Sequence, residues 1–100
     1  MLSAHTFQAE LWRYDGEAGW FFVSLPTELA DAIQDENGPL AKGFGAVKVS
    51  VRIGSSRWTT SVFPDRGRGT YLLPVKKSVR LAEGLDAGDT IPIELTVVQY

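Results

Sequence analysis

Apolar and polar residues alternate with a period of two along much of this 100-residue chain. The clearest run is residues 47–53, where valine or isoleucine occupies every odd position and lysine, serine or arginine every even one. Alternation of this kind is typical of a strand with one face buried and the other in solvent. Further alternating or aromatic-rich segments predict five more strands, near residues 7–11, 20–23, 58–63, 70–73 and 91–97. The chain is therefore predicted to be mainly β.

Two short helices are predicted between the strands, and a proline begins or precedes each of them. Proline suits the first helical turn because no amide donor is needed there. The first helix is predicted over residues 26–34, and the second over residues 75–83, between Pro74 and Gly84. Six strands in so short a chain do not easily cover both faces of an open sheet, so a closed barrel is the economical arrangement. We predict a single domain over residues 1–100, a small six-stranded β-barrel with two short helices.

Composition excludes several kinds of chemistry. The chain has no cysteine, and His5 is its only histidine, so disulfides, thiolate chemistry and most zinc sites are excluded. No cofactor or metal is predicted. The N-terminal residues lack the cationic and apolar segments of a signal peptide, and no apolar run approaches the ~20 residues that a membrane span needs. The protein is predicted to be cytoplasmic, without membrane contact.

Charge is strongly segregated along the chain, although the formal net charge is only -2. Residues 42–80 carry nine cations and one acid, a balance of +8, whereas residues 1–41 sum to -6 and residues 81–100 to -4. Segregation of this kind can shape the surface field and select partners. The segregation is therefore the best clue to function in the sequence, although cations on outward strand faces and turns need no ligand to explain them.

Four motifs coincide with predicted strands and with the second predicted helix. They are Phe7-x-Ala9-x-Leu11-Trp12, Trp20-x-Phe22-Val23-x-Leu25-Pro26, Trp58-x-Thr60-Ser61-x-Phe63-Pro64, and Tyr71-x-Leu73-Pro74-Val75-Lys76-Lys77-x-Val79-Arg80. In combination, over residues 5–98, they resemble DUF1905, a bacterial family of domains of unknown function. The resemblance implies a small β-barrel with short helices, found alone or fused to other small domains. It implies no established reaction, ligand or catalytic residue.

The second predicted helix carries the most suggestive group of charges. Lys76 and Lys77 fall in its first turn, where cations oppose the helix dipole, so helix stability does not explain them. With Arg80 one turn later, they predict a binding site for an anion such as a phosphate, a carboxylate or a peptide C-terminus. Neighbouring strands are expected to add hydroxyl donors and a further cation. The complete predicted site comprises Arg57, Ser61, Tyr71, Lys76, Lys77 and Arg80. The alternative is a solvated face on which lysine and arginine stems cover the barrel end.

The favoured function is a binding module without catalytic activity, for an anionic ligand or peptide at this basic barrel end. The alternative is a structural or protein-interaction domain, in which oppositely charged regions contact a partner or a second copy. Nucleic acid is a less favoured ligand because the sequence pI is near 5.3, whereas nucleic-acid-binding domains are usually basic. An enzyme is also disfavoured, because a serine or threonine nucleophile needs a base and the one histidine is far away in sequence. Ser61 with Lys76 as its base is the weakest of the alternatives.

Overall fold

A computed structural model describes residues 4–16, 19–37 and 45–98 of the protein. These residues form six strands and two helices. In chain order they are β1 (Ala4–Arg13), β2 (Phe21–Ser24), α1 (Thr27–Asn37), β3 (Val47–Ile53), β4 (Ser56–Asp65), β5 (Thr70–Pro74), α2 (Lys77–Glu83) and β6 (Thr90–Val97).

The strands close into an antiparallel barrel in the order β1, β2, β5, β4, β3, β6 and back to β1. A long ladder between β1 and β6, from the Ala4–Thr96 pair to the Glu10–Thr90 pair, joins the two ends of the sheet. The prediction of a mainly β fold, with a six-stranded barrel and two helices, is confirmed. The order also places β5 between β2 and β4, an arrangement that sequence spacing does not show.

The barrel core contains one face of every strand. On β3, Val49 and Val51 are at most 1% exposed, while Lys48 and Ser50, which alternate with them, are exposed. This confirms the alternation that predicted the strand. The ladder of β3 and β4 continues to the Ile53–Ser56 pair, so two residues make the turn, and β4 begins two residues earlier than predicted.

Both helices pack short apolar faces against the barrel core. The first, α1, buries Leu29, Ala30 and Ile33, and it runs from Thr27 to Asn37, three residues beyond its predicted end. The second, α2, buries Val79 and ends at Gly84, whose left-handed backbone (φ 65°) caps it.

The predicted start of α2 at residue 75 is wrong by two residues. The amide of Val75 donates a hydrogen bond of 2.9 Å to the carbonyl of Phe21, so the chain stays extended beyond the end of β5. Lys76 is also extended (φ -69°, ψ 157°) and is the N-cap, and its carbonyl accepts the amides of Val79 and Arg80. A contact with β2, distant in sequence, therefore delays the helix to Lys77.

Candidate functional site

A cleft of about 340 Å³ opens where β2, β4 and the segment joining β5 to α2 meet. We call it the α2 cleft. Its wall combines aromatic rings, threonine hydroxyls and cations, with no acidic side chain among the described residues that line it. These functional groups belong to Trp20, Phe21, Trp58, Thr59, Thr60, Lys76, Lys77 and Arg80.

Three cations, Lys76, Lys77 and Arg80, share this cleft; we call them the cleft cations. Both lysines are exposed, and no acid lies within ion-pair distance of any of the three in the described part of the chain. Arg80 is held more firmly than the lysines. Its Nε donates to the carbonyl of Val75 over 3.2 Å, and its guanidinium lies 3.8 Å from the centroid of the Phe21 ring. The cleft thus has one oriented cation and two adaptable ones.

The positive charge comes from side chains rather than from the helix. Lys76 lies outside α2 as its N-cap, and Lys77 is its first residue, whereas both were predicted within the first turn. No side chain caps this end, and α2 has only seven residues. A helix this short aligns few peptide dipoles. The helix dipole therefore adds little to the charge of the Lys76, Lys77 and Arg80 side chains.

An aromatic cluster supports the other wall of the cleft. It consists of Trp12, Tyr14, Trp20 and Phe22, all on the outer side of the β1–β2 hairpin. The indole of Trp20 lies nearly parallel to the Phe22 ring, at 8° and 6.0 Å between centroids. The amide of Tyr14 also donates to the carbonyl of Trp20 over 2.7 Å. Trp20 is 52% exposed, but the ring contact with Phe22 and the backbone hydrogen bond from Tyr14 hold it in place.

The structure brings together three of the six residues predicted to bind an anion, the cleft cations. Arg57 and Ser61 lie on the outer face of β4, opposite Arg52 and Lys48 of β3, and neither lines the cleft. The β4 residues that do line it are Trp58, Thr59 and Thr60, which lie between these two positions.

Tyr71, the sixth predicted residue, lies away from the cleft. Its ring is buried against the core, and its hydroxyl donates to Gln34 Oε1 of α1 over 2.8 Å. Burial raises the pKa of Tyr71 above its ordinary value.

One other group has a shifted pKa among the described residues. A hydrogen bond from Arg68 is the main cause of the lowered pKa of Asp65.

The aromatic residues of the cleft were interpreted from sequence as strand or core residues. A usable signal exists for Trp20: with Phe22 it alternates out of phase with Val23 and Leu25, which are buried. Aromatic residues at solvent-facing positions of a strand indicate a contact surface. Trp58 offers no such signal, because it shares the inner face with Val62.

The described residues show neither a metal-binding group nor a membrane-spanning helix. Residues 4–16, 19–37 and 45–98 contain no group of three or more histidine and carboxylate side chains suited to hold a metal ion. Neither α1 nor α2 is long and apolar enough to cross a membrane.

Comparison with known proteins identifies the family. The family model described as Domain of unknown function (DUF1905) matches residues 7–95, and the chain belongs to that family. The match confirms the resemblance drawn from the four sequence motifs. A search of the curated proteins finds no match to the chain.

Proposed function

We propose that this DUF1905 chain is a binding module that holds a small anionic ligand in the α2 cleft. The observation that carries the proposal is the convergence of Lys76, Lys77 and Arg80 on one concave surface, without an acidic neighbour among its described lining residues. Like charges held together repel one another, and an anion relieves that repulsion. A cleft of about 340 Å³ falls within the roughly 300–1,000 Å³ of ordinary small-molecule sites.

The three cations suit different parts of anion recognition. Of the three guanidinium nitrogens of Arg80, only Nε donates a hydrogen bond to a described residue. Both terminal nitrogens are left for a paired contact with two oxygens of a phosphate or carboxylate. The lysine ammonium groups add charge without fixed geometry. Two threonines of β4, Thr59 and Thr60, also line the cleft.

Because Lys76 and Lys77 are exposed, each contributes only modestly to the free energy of anion binding. A pair of exposed opposite charges is worth about 0.2–1 kcal/mol, and 1.4 kcal/mol changes an affinity tenfold. We expect Lys77→Gln to weaken binding of inorganic phosphate about two- to fivefold. The double variant Lys76→Gln/Lys77→Gln should weaken it about tenfold.

An NMR titration with inorganic phosphate tests the proposal, with sodium chloride at matched ionic strength as the reference. Backbone signals of Lys76, Lys77 and Arg80 should shift saturably with phosphate but not with chloride. Lys48→Gln is the matched control, since it removes the same charge from the exposed face of β3. Absence of saturable shifts at millimolar phosphate, or equal weakening by Lys48→Gln and Lys77→Gln, would refute an anion site in this cleft.

A further inference from the structure

We infer that the ligand of the α2 cleft carries a planar ring beside its anionic group, and that its chemical class is the nucleoside monophosphates. This inference rests on the proposed function and adds the ring. The observation behind it is the position of Trp20, a large apolar side chain that lines the cleft and remains half exposed.

The indole of Trp20 is arranged as a stacking platform. Phe22 lies nearly parallel to it, with ring centroids 6.0 Å apart, and does not line the cleft. Trp20 nevertheless remains 52% exposed, so much of its surface is open to a ligand. An exposed aromatic ring held by a neighbouring ring can stack on a nucleobase, and such stacking accepts any base because every base has a π-face.

The other two aromatic residues of the cleft are already occupied. The guanidinium of Arg80 covers the Phe21 ring at 3.8 Å from its centroid. Trp58 is partly buried and packs against the barrel core. Among the aromatic residues that line the cleft, Trp20 is therefore the most exposed, and it lines the same cleft as Lys76, Lys77 and Arg80. Stacking surface and phosphate donors together match a base and a phosphate on one small molecule.

Size and charge favour a mononucleotide over a nucleic-acid strand. The volume of about 340 Å³ lies near the lower end of the roughly 300–1,000 Å³ range for ligand sites, which suits one nucleotide. The whole chain has a net charge of -2, so a long polyanion gains little favourable charge beyond the cleft itself. A single nucleotide needs only the local charge of the cleft.

Calorimetric and NMR titrations with AMP, UMP, ribose 5-phosphate and adenosine test the inference. AMP and UMP should each bind about fivefold or more tightly than ribose 5-phosphate, since stacking of a base on an aromatic ring contributes at least that much. The indole N–H signal of Trp20 should shift with AMP and UMP and stay in place with ribose 5-phosphate. This signal needs no variant, so it remains informative if a substitution impairs folding.

The variant Trp20→Leu should bring AMP down to the affinity of ribose 5-phosphate and leave ribose 5-phosphate binding unchanged. Phe63→Leu is the matched control, because Phe63 of β4 is also an exposed aromatic residue (46%) but lies outside both the cleft and the aromatic cluster. It should keep the preference for AMP.

The outcomes separate the two proposals. Equal affinity for AMP and ribose 5-phosphate in the wild-type protein, with both displacing the Lys76 and Lys77 signals, overturns the planar-ring inference and supports the anion site. Adenosine binding as tightly as AMP overturns the anion site. An eight-nucleotide single-stranded RNA that binds more than tenfold tighter than AMP overturns the assignment to mononucleotides in favour of nucleic acid.

Discussion

The hydroxyl group of Tyr71 is expected to stabilise the fold without contributing to anion binding. It donates to Gln34 Oε1 over 2.8 Å and so links β5 to α1, while the ring is 4% exposed. Phenylalanine keeps the buried ring and removes only the hydrogen bond. Such a bond contributes about 0.5–1.5 kcal/mol net. Gln34 is exposed, so water can satisfy its oxygen in the variant. We expect Tyr71→Phe to lower the free energy of unfolding by about 0.5–1 kcal/mol at pH 7.

The same substitution should change the dependence of stability on pH. Burial raises the pKa of Tyr71 above its ordinary value of 10.0. The unfolded chain therefore loses this proton at a lower pH than the folded protein, and ionisation favours unfolding. The stability associated with the neutral hydroxyl is complete below pH 10 and is lost as pH rises through the folded-state pKa. Tyr71→Phe has no such loss, so its stability deficit should shrink above pH 10.

Urea denaturation at pH 7, 9, 10 and 11 measures both effects. Lysine ionisation occurs in the same pH range, but it is common to the two proteins and cancels in their difference. Tyr14→Phe serves as the control, since Tyr14 is exposed, and it should match the wild type throughout. A deficit that stays constant from pH 7 to 11 would refute the linkage. Weaker phosphate binding by Tyr71→Phe would show that its hydroxyl contacts the ligand after all.

Two further predictions concern backbone conformation and local charge. Gly54→Ala should destabilise the protein more than Gly84→Ala, by about 0.5–1 kcal/mol in urea denaturation: both backbones are left-handed, but only at Gly54 does an added Cβ displace the Glu83 carboxylate, which accepts a 2.7 Å hydrogen bond from Ser56 Oγ. Equal losses would contradict this. Arg68→Ala should raise the pKa of Asp65, measured by NMR, because it removes the 2.7 Å hydrogen bond that lowers it. An unchanged pKa would mean that this pair does not persist in solution.

Local pattern was sufficient to predict the barrel but not its strand order. Alternation at residues 47–53 indicates which side chains face the core, and the buried valines of β3 confirm it. Placement of β5 between β2 and β4 depends on pairing between distant segments, such as Val23 with Leu73. Spacing along the chain carries no direct information on such pairs. The start of α2 was wrong for the same reason, because Phe21 holds Val75 extended.

The candidate site also has a part that local sequence predicted and a part that depends on contacts between distant segments. Lys76, Lys77 and Arg80 were predicted together because they are neighbours in sequence, and local helix and cap geometry keeps them on one surface. Trp20 and Trp58 join them only because β2 and β4 flank β5 in the closed barrel. Residues brought together by barrel closure are therefore the part of the site that sequence reasoning missed.

Barrel closure also breaks up the positive charge of the central segment. Arg52 pairs with Glu94 of β6 at 3.4 Å, and Arg57 lies beside Arg52 on the outer face of the sheet. The cleft cations differ because they share a concave surface. Arg57 is exposed and does not line the cleft, and an exposed charge that makes no direct contact contributes less than the roughly 0.2–1 kcal/mol of an exposed ion pair. We therefore expect Arg57→Gln to leave phosphate affinity within about twofold of wild type in the same NMR titration. A tenfold loss would mean that the whole basic segment, rather than the cleft, attracts the ligand.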